Sequence, residues 1–352
     1  MRTHYNATAA HSPLETGPVV RVGFITPCLQ IGGAERWVLA LARHFSRNVV
    51  VTAILSLQEP GPLRAEAERL TTIVRTPEEL HAACDVIIAW GTPDLAALVQ
   101  GFTGRVVAVA HGTEALEFSK EVGASMATVA TDLVAVSWAA KTAFPREHWE
   151  RVKVIPNGAE IERCVPRMGR RHVRAQLGIP MEASVLLWYG RFSPEKRPEL
   201  VRETLDCLPE TWFCIMAGPD QCGMKGRMAK HPRLRVLPPV DAPGDLLTAA
   251  DCFMLPSETE AFPLSLTEAW LAGVPTVYCL WPFAEEMEEF HGPMGETVEI
   301  NATPGQFAGA VLRAQQKGKL DWVTTRTAWH SYTAGAMATR WERYLQTILN
   351  PN

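Results

Sequence analysis

Two carboxylates, Glu260 and Glu268, stand in one stretch, Pro256 to Pro275, that reads PSETEAFPLSLTEAWLAGVP. A carboxylate accepts hydrogen bonds from sugar hydroxyls. A helix N-terminus between two such groups offers backbone N–H groups to an anion. Amides for phosphate and acids for hydroxyls suit a nucleotide sugar. The plain alternative is a pair of solvated surface carboxylates beside a core helix. Local pattern supplies that helix: Pro263 fits its first turn, Leu264, Leu266, Ala269, Trp270 and Leu271 continue it, and Gly273 with Pro275 stops it. Glu260 lies in the loop ahead, and Glu268 falls one turn after Leu264, so both would project from one face.

A second stretch, YGRFSPEKRPE from Tyr189, carries cations. Ser193 reads as an N-cap and Pro194 as the first helical residue. Lys196 then falls in the first turn of a helix reaching Cys207, where a cation opposes the helix dipole by about 0.3–1 kcal/mol. Stability does not favour that placement, which argues for an anionic partner. Arg191 can grip a phosphate with two N–H groups, and Lys196 can act as a point charge. Gly32 and Gly33 follow the first strand and open its helix, where a bare backbone lets a bulky ligand approach. The stretch is not a G-x-G-x-x-G fingerprint, so a dinucleotide site is poorly supported. His111 ends a strand with Gly112 behind it, at the strand end where α/β sheets bind ligands. A packed histidine is its plainer reading, and nothing marks it as a base. No carboxylate cluster has a metal-ligand spacing. A departing diphosphate would then be neutralised by protein cations and amides.

The elements that must position these residues alternate between strand and helix patterns. Strands are expected at Val19–Thr26, Val49–Leu57, Thr71–Val74, Asp85–Trp90, Arg105–Ala110, Leu133–Ser137 and Val152–Ile155. The pattern restarts with Ser184–Tyr189, Trp212–Ala217, Leu234–Leu237, Cys252–Leu255 and Thr276–Cys279. Such alternation predicts an α/β fold of parallel sheets with helices on both faces, and two such halves predict a ligand cleft between them. The basic segment Arg163–Arg174, containing Pro and Gly, reads as the linker. The expected division is a tail over residues 1–18, an N-terminal domain over 19–162, a C-terminal domain over 163–325, and helices over 326–352 that cross back to the first domain.

Composition excludes several classes. At 352 residues, 47% hydrophobic and 20% charged, the chain reads as soluble, globular and two-domained. A net charge of −4 argues against a general nucleic-acid binder. Eight scattered cysteines without a C-x-x-C pair suit a reducing compartment. No stretch is long enough to cross a bilayer, and residues 1–18 lack the apolar core of a signal peptide. A cytoplasmic location is expected. The segment Trp138–Lys153 mixes aromatic and basic residues, and peripheral membrane contact through it is the less favoured reading.

Taken in order, the motifs resemble the family 4 glycosyltransferases: GGAE from Gly32, HG at His111, VAVSWAAK from Val134, VIPNGAE from Val154, GRFSPEK from Gly190, AGP from Ala217, and the Glu-x7-Glu block at Glu260 and Glu268. The block includes the P-S-x-x-E and E-A-x-x-A-G-x-P elements. The resemblance implies the GT-B fold, two Rossmann-like domains facing each other across a cleft, and a retaining sugar transfer. It also implies roles. Gly32 and Gly33 line the donor diphosphate, and Arg191 and Lys196 neutralise it as it leaves. Glu260 and the chain around Phe262, Pro263 and Leu264 hold the donor sugar, His111 contacts that sugar, and Glu268 binds the nucleotide ribose. His111, Arg191, Lys196 and Glu260 form the implied catalytic set. No cofactor and no metal are implied. The donor would be a nucleotide-diphosphate sugar, UDP-linked first, and the acceptor a hydroxyl of a glycan, a lipid-linked glycan or a small molecule.

Three departures qualify the resemblance. Ala261 stands where the family has Gly, which is costly if that position needs a positive φ. Pro263 removes one N–H donor. LWPFAEEMEE after Cys279 replaces a Gly-rich loop near the donor sugar. Two rivals follow: a nucleotide-sugar 2-epimerase of the same fold, which would convert donor without acceptor, and a non-catalytic sugar-nucleotide-binding subunit.

Overall fold

The computed structural model of the protein describes residues 19–59, 61–220, 222–228, 230–320 and 322–350. The expected tail, residues 1–18, lies outside them. The chain divides into two compact units, the described part of Met1–Ala159 together with Ser331–Asn352, and Glu160–His330.

In the first unit a seven-stranded sheet runs β3-β2-β1-β4-β5-β6-β7. Its strands are β1 (Val20–Thr26), β2 (Val49–Ser56), β3 (Thr72–Val74), β4 (Val86–Trp90), β5 (Arg105–Ala110), β6 (Asp132–Ala135) and β7 (Val152–Val154). All pairings are parallel. Val86, Ile87, Ile88 and Ala89 are fully buried in succession, as expected of a strand covered on both faces. The helix Ala334–Leu349 returns to this unit, and its Trp341 meets Trp37 of the helix Gly33–His44 with ring centroids 5.6 Å apart. The return is fixed at the PNG turn. Ala159 N–H donates to Tyr332 O and Ala334 N–H to Ala159 O, each at 2.8 Å. A Cβ on Gly158 would sit 2.1 Å from Thr333 O, so only glycine admits the returning chain.

The second unit repeats the design. Its six-stranded parallel sheet runs β10-β9-β8-β11-β12-β13, with β8 (Ser184–Tyr189), β9 (Trp212–Ala217), β10 (Leu234–Leu237), β11 (Cys252–Leu255), β12 (Thr276–Cys279) and β13 (Glu296–Val298). In each unit the order from the third element to the sixth is 3-2-1-4-5-6, the doubly wound arrangement of Rossmann-like folds. The strands β5, β8, β9, β10, β11 and β12 coincide with the expected spans. The three-residue edge strand β13 was not anticipated.

Three sequence expectations need correction. The segment Arg163–Arg174 is not a linker. It lies within the second unit, and the helix Arg170–Gln176 begins inside it. Arg174 is fully buried, donating to Ala249 O, Met181 O, Ala183 O and the Asp251 carboxylate. Next, the helix expected to run unbroken to Cys207 is interrupted. A 3-10 turn, Pro194–Lys196, ends at Arg197 in the left-handed region (φ 51°, ψ 52°), and the α-helix spans Pro198–Cys207. Finally, the stretch after Cys279 is a helix, Pro282–His291, with Pro282 at its start.

Candidate functional site

In the second unit, β8 and β11 are neighbours, and the chain leaves them toward β9 on one side and β12 on the other. This is the topological switch point, where an α/β sheet leaves a crevice at the carboxyl ends of its strands. Both motif stretches lie there: Gly190–Lys196 follows β8, and Pro256–Leu264 follows β11.

Hydrogen bonds tie the two stretches together. Lys196 Nζ donates to Glu260 Oε1 at 2.6 Å, and Glu258 N–H donates to Glu195 O at 2.8 Å. Glu260 Oε1 also accepts from Ser257 Oγ at 2.7 Å, while Trp281 Nε1 fixes Ser257 O at 2.7 Å. The Lys196 and Glu260 side chains keep only 18% and 9% of their exposure, so this ion pair is largely removed from water and its geometry is held. Lys196 ends the 3-10 turn and does not lie in the first turn of an α-helix, so no α-helix dipole opposes its charge as expected. Ser193 stands at the N-cap position of the 3-10 turn with Pro194 first, as expected, but its hydroxyl makes no cap bond and donates instead to Glu195 Oε1 at 2.6 Å. What aims Lys196 is its neighbour. Arg197 is the one non-glycine residue with positive φ among the described residues. Its guanidinium donates to Pro256 O and Ile300 O, which holds this strained residue in place. Arg191 is 44% exposed and stands 3.6 Å from Glu195, the freest cation of the stretch.

Glu268 belongs to a different network. It is buried in the helix Leu264–Leu271, which ends in a Schellman motif: Gly273 N–H bonds Trp270 O, Val274 N–H bonds Ala269 O, and Gly273 takes φ 69°. Arg163 Nη1 donates to Glu268 Oε1 at 2.8 Å, and Tyr189 Oη lies 2.9 Å from Glu268 Oε2. Burial works against charge on Arg163, but Glu268 and its other acidic neighbours outweigh it, and the guanidinium pKa is raised. Burial first, and the Glu268 charge second, push the Tyr189 phenol well above its ordinary range, so it remains a donor. The two motif carboxylates are thus divided: Glu260 with Lys196, Glu268 with Arg163 and Tyr189. Arg163 and Tyr189 were not singled out from sequence, because one read as linker and the other as the last residue of a strand.

Around Glu260 the chain is packed. Phe262 is buried against Phe283 of the helix Pro282–His291, with centroids 4.9 Å apart. Pro263 is the N-cap of the helix Leu264–Leu271, one position before its first residue. Ala261 is buried and does not take a positive φ, so alanine there carries no backbone strain.

The remaining candidates lie in the first unit. Gly32 is the N-cap of the helix Gly33–His44, with no side-chain cap. A Cβ on Gly32 would meet Glu35 Oε2 at 2.3 Å, so glycine is needed for this carboxylate to fold over the helix start. His111 follows β5 and is ringed by tryptophans, Trp37 at 4.6 Å and Trp90 at 5.6 Å between centroids. Burial alone pushes its imidazole down to about 3, so His111 is neutral at physiological pH. Its Nε2 and the ring nitrogens of Trp37, Trp90 and Trp341 are enclosed without a hydrogen-bond partner among the described residues. On the segment Trp138–Lys153, Lys141 lies 5.1 Å from the Trp138 ring and Arg146 5.4 Å from the Trp149 ring. Among the described residues no helix is long and apolar enough to cross a membrane.

Comparison with known proteins agrees with this architecture. The structure of HepE from Anabaena, in complex with UDP and glucose, superposes with a TM-score of 0.81 at 19% identity, covering 93% of this chain and all of that one. WaaG, a glycosyltransferase involved in lipopolysaccharide biosynthesis, superposes with a TM-score of 0.65 at 16% identity over 94% of this chain and all of that one. The fold is therefore of the GT-B type, with two Rossmann-like α/β domains. Residues 169–320, within the second unit, match the family model described as glycosyl transferases group 1. Curated relatives include D-inositol 3-phosphate glycosyltransferase of Streptomyces avermitilis, 28% identical over 211 residues (53% of this chain, 46% of that protein). The same enzyme of Kineococcus radiotolerans is 33% identical over 151 residues (36% of this chain, 34% of that protein). The chain thus matches less than half the length of these relatives.

Proposed function

We propose that this protein is a retaining glycosyltransferase that moves a sugar from a nucleotide-diphosphate donor to a hydroxyl acceptor without a metal ion. The observation that carries the reading is the Lys196–Glu260 pair at the switch point of the second unit, with Arg191 in the same loop as Lys196 and 44% exposed. Lys196 and Arg191 are suited to a diphosphate, since a compact cation and a forked one together neutralise charge that grows on the leaving oxygen. Glu260, once Lys196 turns to phosphate, has acceptor sites for donor-sugar hydroxyls, and Glu268 has them for the ribose. In the transfer, the bond from the anomeric carbon to the diphosphate oxygen breaks as the acceptor oxygen bonds to the same face. The acceptor's proton passes to the departing phosphate oxygen. The solved relative that binds UDP and glucose favours a UDP-sugar, and the curated relatives' name favours a small polyol phosphate among possible acceptors.

The test is product analysis with a panel of nucleotide sugars and hydroxyl acceptors, with and without EDTA. Transfer with the donor's anomeric configuration, unchanged by EDTA and lost in Glu260→Ala, is expected. Conversion of donor without acceptor would indicate the epimerase reaction. Binding without turnover would indicate a non-catalytic subunit.

A further inference from the structure

The Glu268 network contains two residues that no motif covers. Glu268 keeps only 3% of its side-chain exposure, and among the described residues its two oxygens have one partner each, Arg163 Nη1 at 2.8 Å and Tyr189 Oη at 2.9 Å. A carboxylate has about four acceptor sites, so two remain unspent. Arg163 is itself anchored, with Nε donating to Asp241 O at 2.9 Å. Tyr189 has one proton and two acceptors in reach, the Glu268 carboxylate and Ser265 O at 3.1 Å. The charged acceptor is the stronger one. Arg163 therefore holds one oxygen of Glu268 by a charged hydrogen bond, and Tyr189 fixes the rotation of the carboxylate from the opposite oxygen. Tyr189 immediately precedes Gly190 and Arg191, so the same backbone that carries the phosphate-facing cation also orients Glu268.

We infer that Arg163 and Tyr189 are positioning residues that turn the two unspent acceptor sites of Glu268 toward a vicinal diol, making the site selective for ribonucleotides over deoxyribonucleotides. A vicinal diol supplies two O–H donors, matching the two acceptor sites left. A buried carboxylate that loses those donors is left under-solvated, which is how a polar site rejects an analogue lacking a hydroxyl. This inference rests on the reading of Glu268 as the ribose acceptor.

The experiment is isothermal titration of the full-length protein with UDP, GDP and ADP, and then with the 2′-deoxy and 3′-deoxy forms of whichever binds. The wild type should prefer the ribonucleotide by about tenfold or more per hydroxyl. Tyr189→Phe keeps ring and packing and removes only the phenolic hydroxyl. It should shrink the ribo-to-deoxy ratio to within about threefold, with the affinity for the deoxy form little changed. A fraction of unfolded protein would scale both affinities together and leave the ratio alone. Arg163→Lys should shrink the ratio as well. In a Glu268→Gln background, Tyr189→Phe should have no further effect on it. A ratio that survives Tyr189→Phe, or a wild type that binds ribo and deoxy forms equally, overturns the inference while leaving the transferase reading intact. A wild type that binds no nucleoside diphosphate overturns both.

Discussion

The two units share a sheet order yet furnish the ends of their strands in opposite ways. In the second unit, β8 and β11 lead into Arg191, Lys196 and Glu260, the last two joined by a 2.6 Å hydrogen bond. In the first, the corresponding β1 and β4 lead into Pro27 and Gly91, where a Cβ on Gly91 would lie 2.8 Å from the Pro27 ring. The next strand there, β5, is followed by a neutral histidine between tryptophans. One scaffold thus presents a polar, ion-paired surface and an aromatic one whose ring nitrogens lack partners among the described residues. Parallel-sheet topology dictates where a site can form, and the residues of the strand-end loops dictate what it can bind.

Substitutions can break that contrast. The largest effect is expected from Glu260→Ala, which strands Lys196 in a largely buried place and removes the proposed donor-sugar contact. Transfer should fall by at least 100-fold, and a steady-state assay that found less than a tenfold loss would separate Glu260 from the chemistry. Arg174→Ala should destabilise the second unit by about 3–5 kcal/mol, since it leaves the Asp251 charge partly buried beside one remaining arginine. Denaturant unfolding checks this, and the first unit, if its transition is separable, should be unaffected.

The same substitutions show how much was legible in the sequence. Strands such as β8, β9 and β11 were legible because short apolar runs bounded by turn residues have few other readings. Arg191, Lys196 and both carboxylates were legible as spaced motifs, and their tertiary pairing was not. Arg174 was not, because a basic residue in a Pro- and Gly-containing segment looks solvated, and its acceptors lie mostly some 75 residues away on Ala249 and Asp251. Arg163 was missed for the same reason, with Glu268 105 positions distant. The left-handed Arg197 was invisible because local pattern favours continuing the helix, and only its tertiary bonds to Pro256 O and Ile300 O hold it. His111 was legible as a strand-end residue, but its neutrality depends on Trp37 and Trp90, which read simply as core.

That neutrality yields a pH dependence. The folded pKa of about 3 lies below the ordinary value of 6.5, so the unfolded chain binds the proton first. Stability from this residue is therefore full above pH 6.5 and declines as pH falls toward 3. His111→Gln should flatten that part of a stability-versus-pH curve, and an unchanged curve would show that the imidazole is solvated. The activity profile should show no inflection near 6.5 that this variant removes. A smaller effect is expected at Ala261. Its backbone needs no positive φ, so restoring the family glycine with Ala261→Gly should cost about 0.4–1 kcal/mol, read by denaturant unfolding.

The most direct test of the central claim is thermal unfolding of the wild type and Lys196→Ala with nucleoside mono- and diphosphates. A diphosphate at 100 times its dissociation constant should stabilise the wild type by about 2.7 kcal/mol. Lys196→Ala should lose most of that shift and keep the smaller one given by the monophosphate. A wild type stabilised by no nucleoside diphosphate, or a variant that responds to mono- and diphosphate as the wild type does, would contradict the assignment of the switch point in the second unit as a diphosphate site.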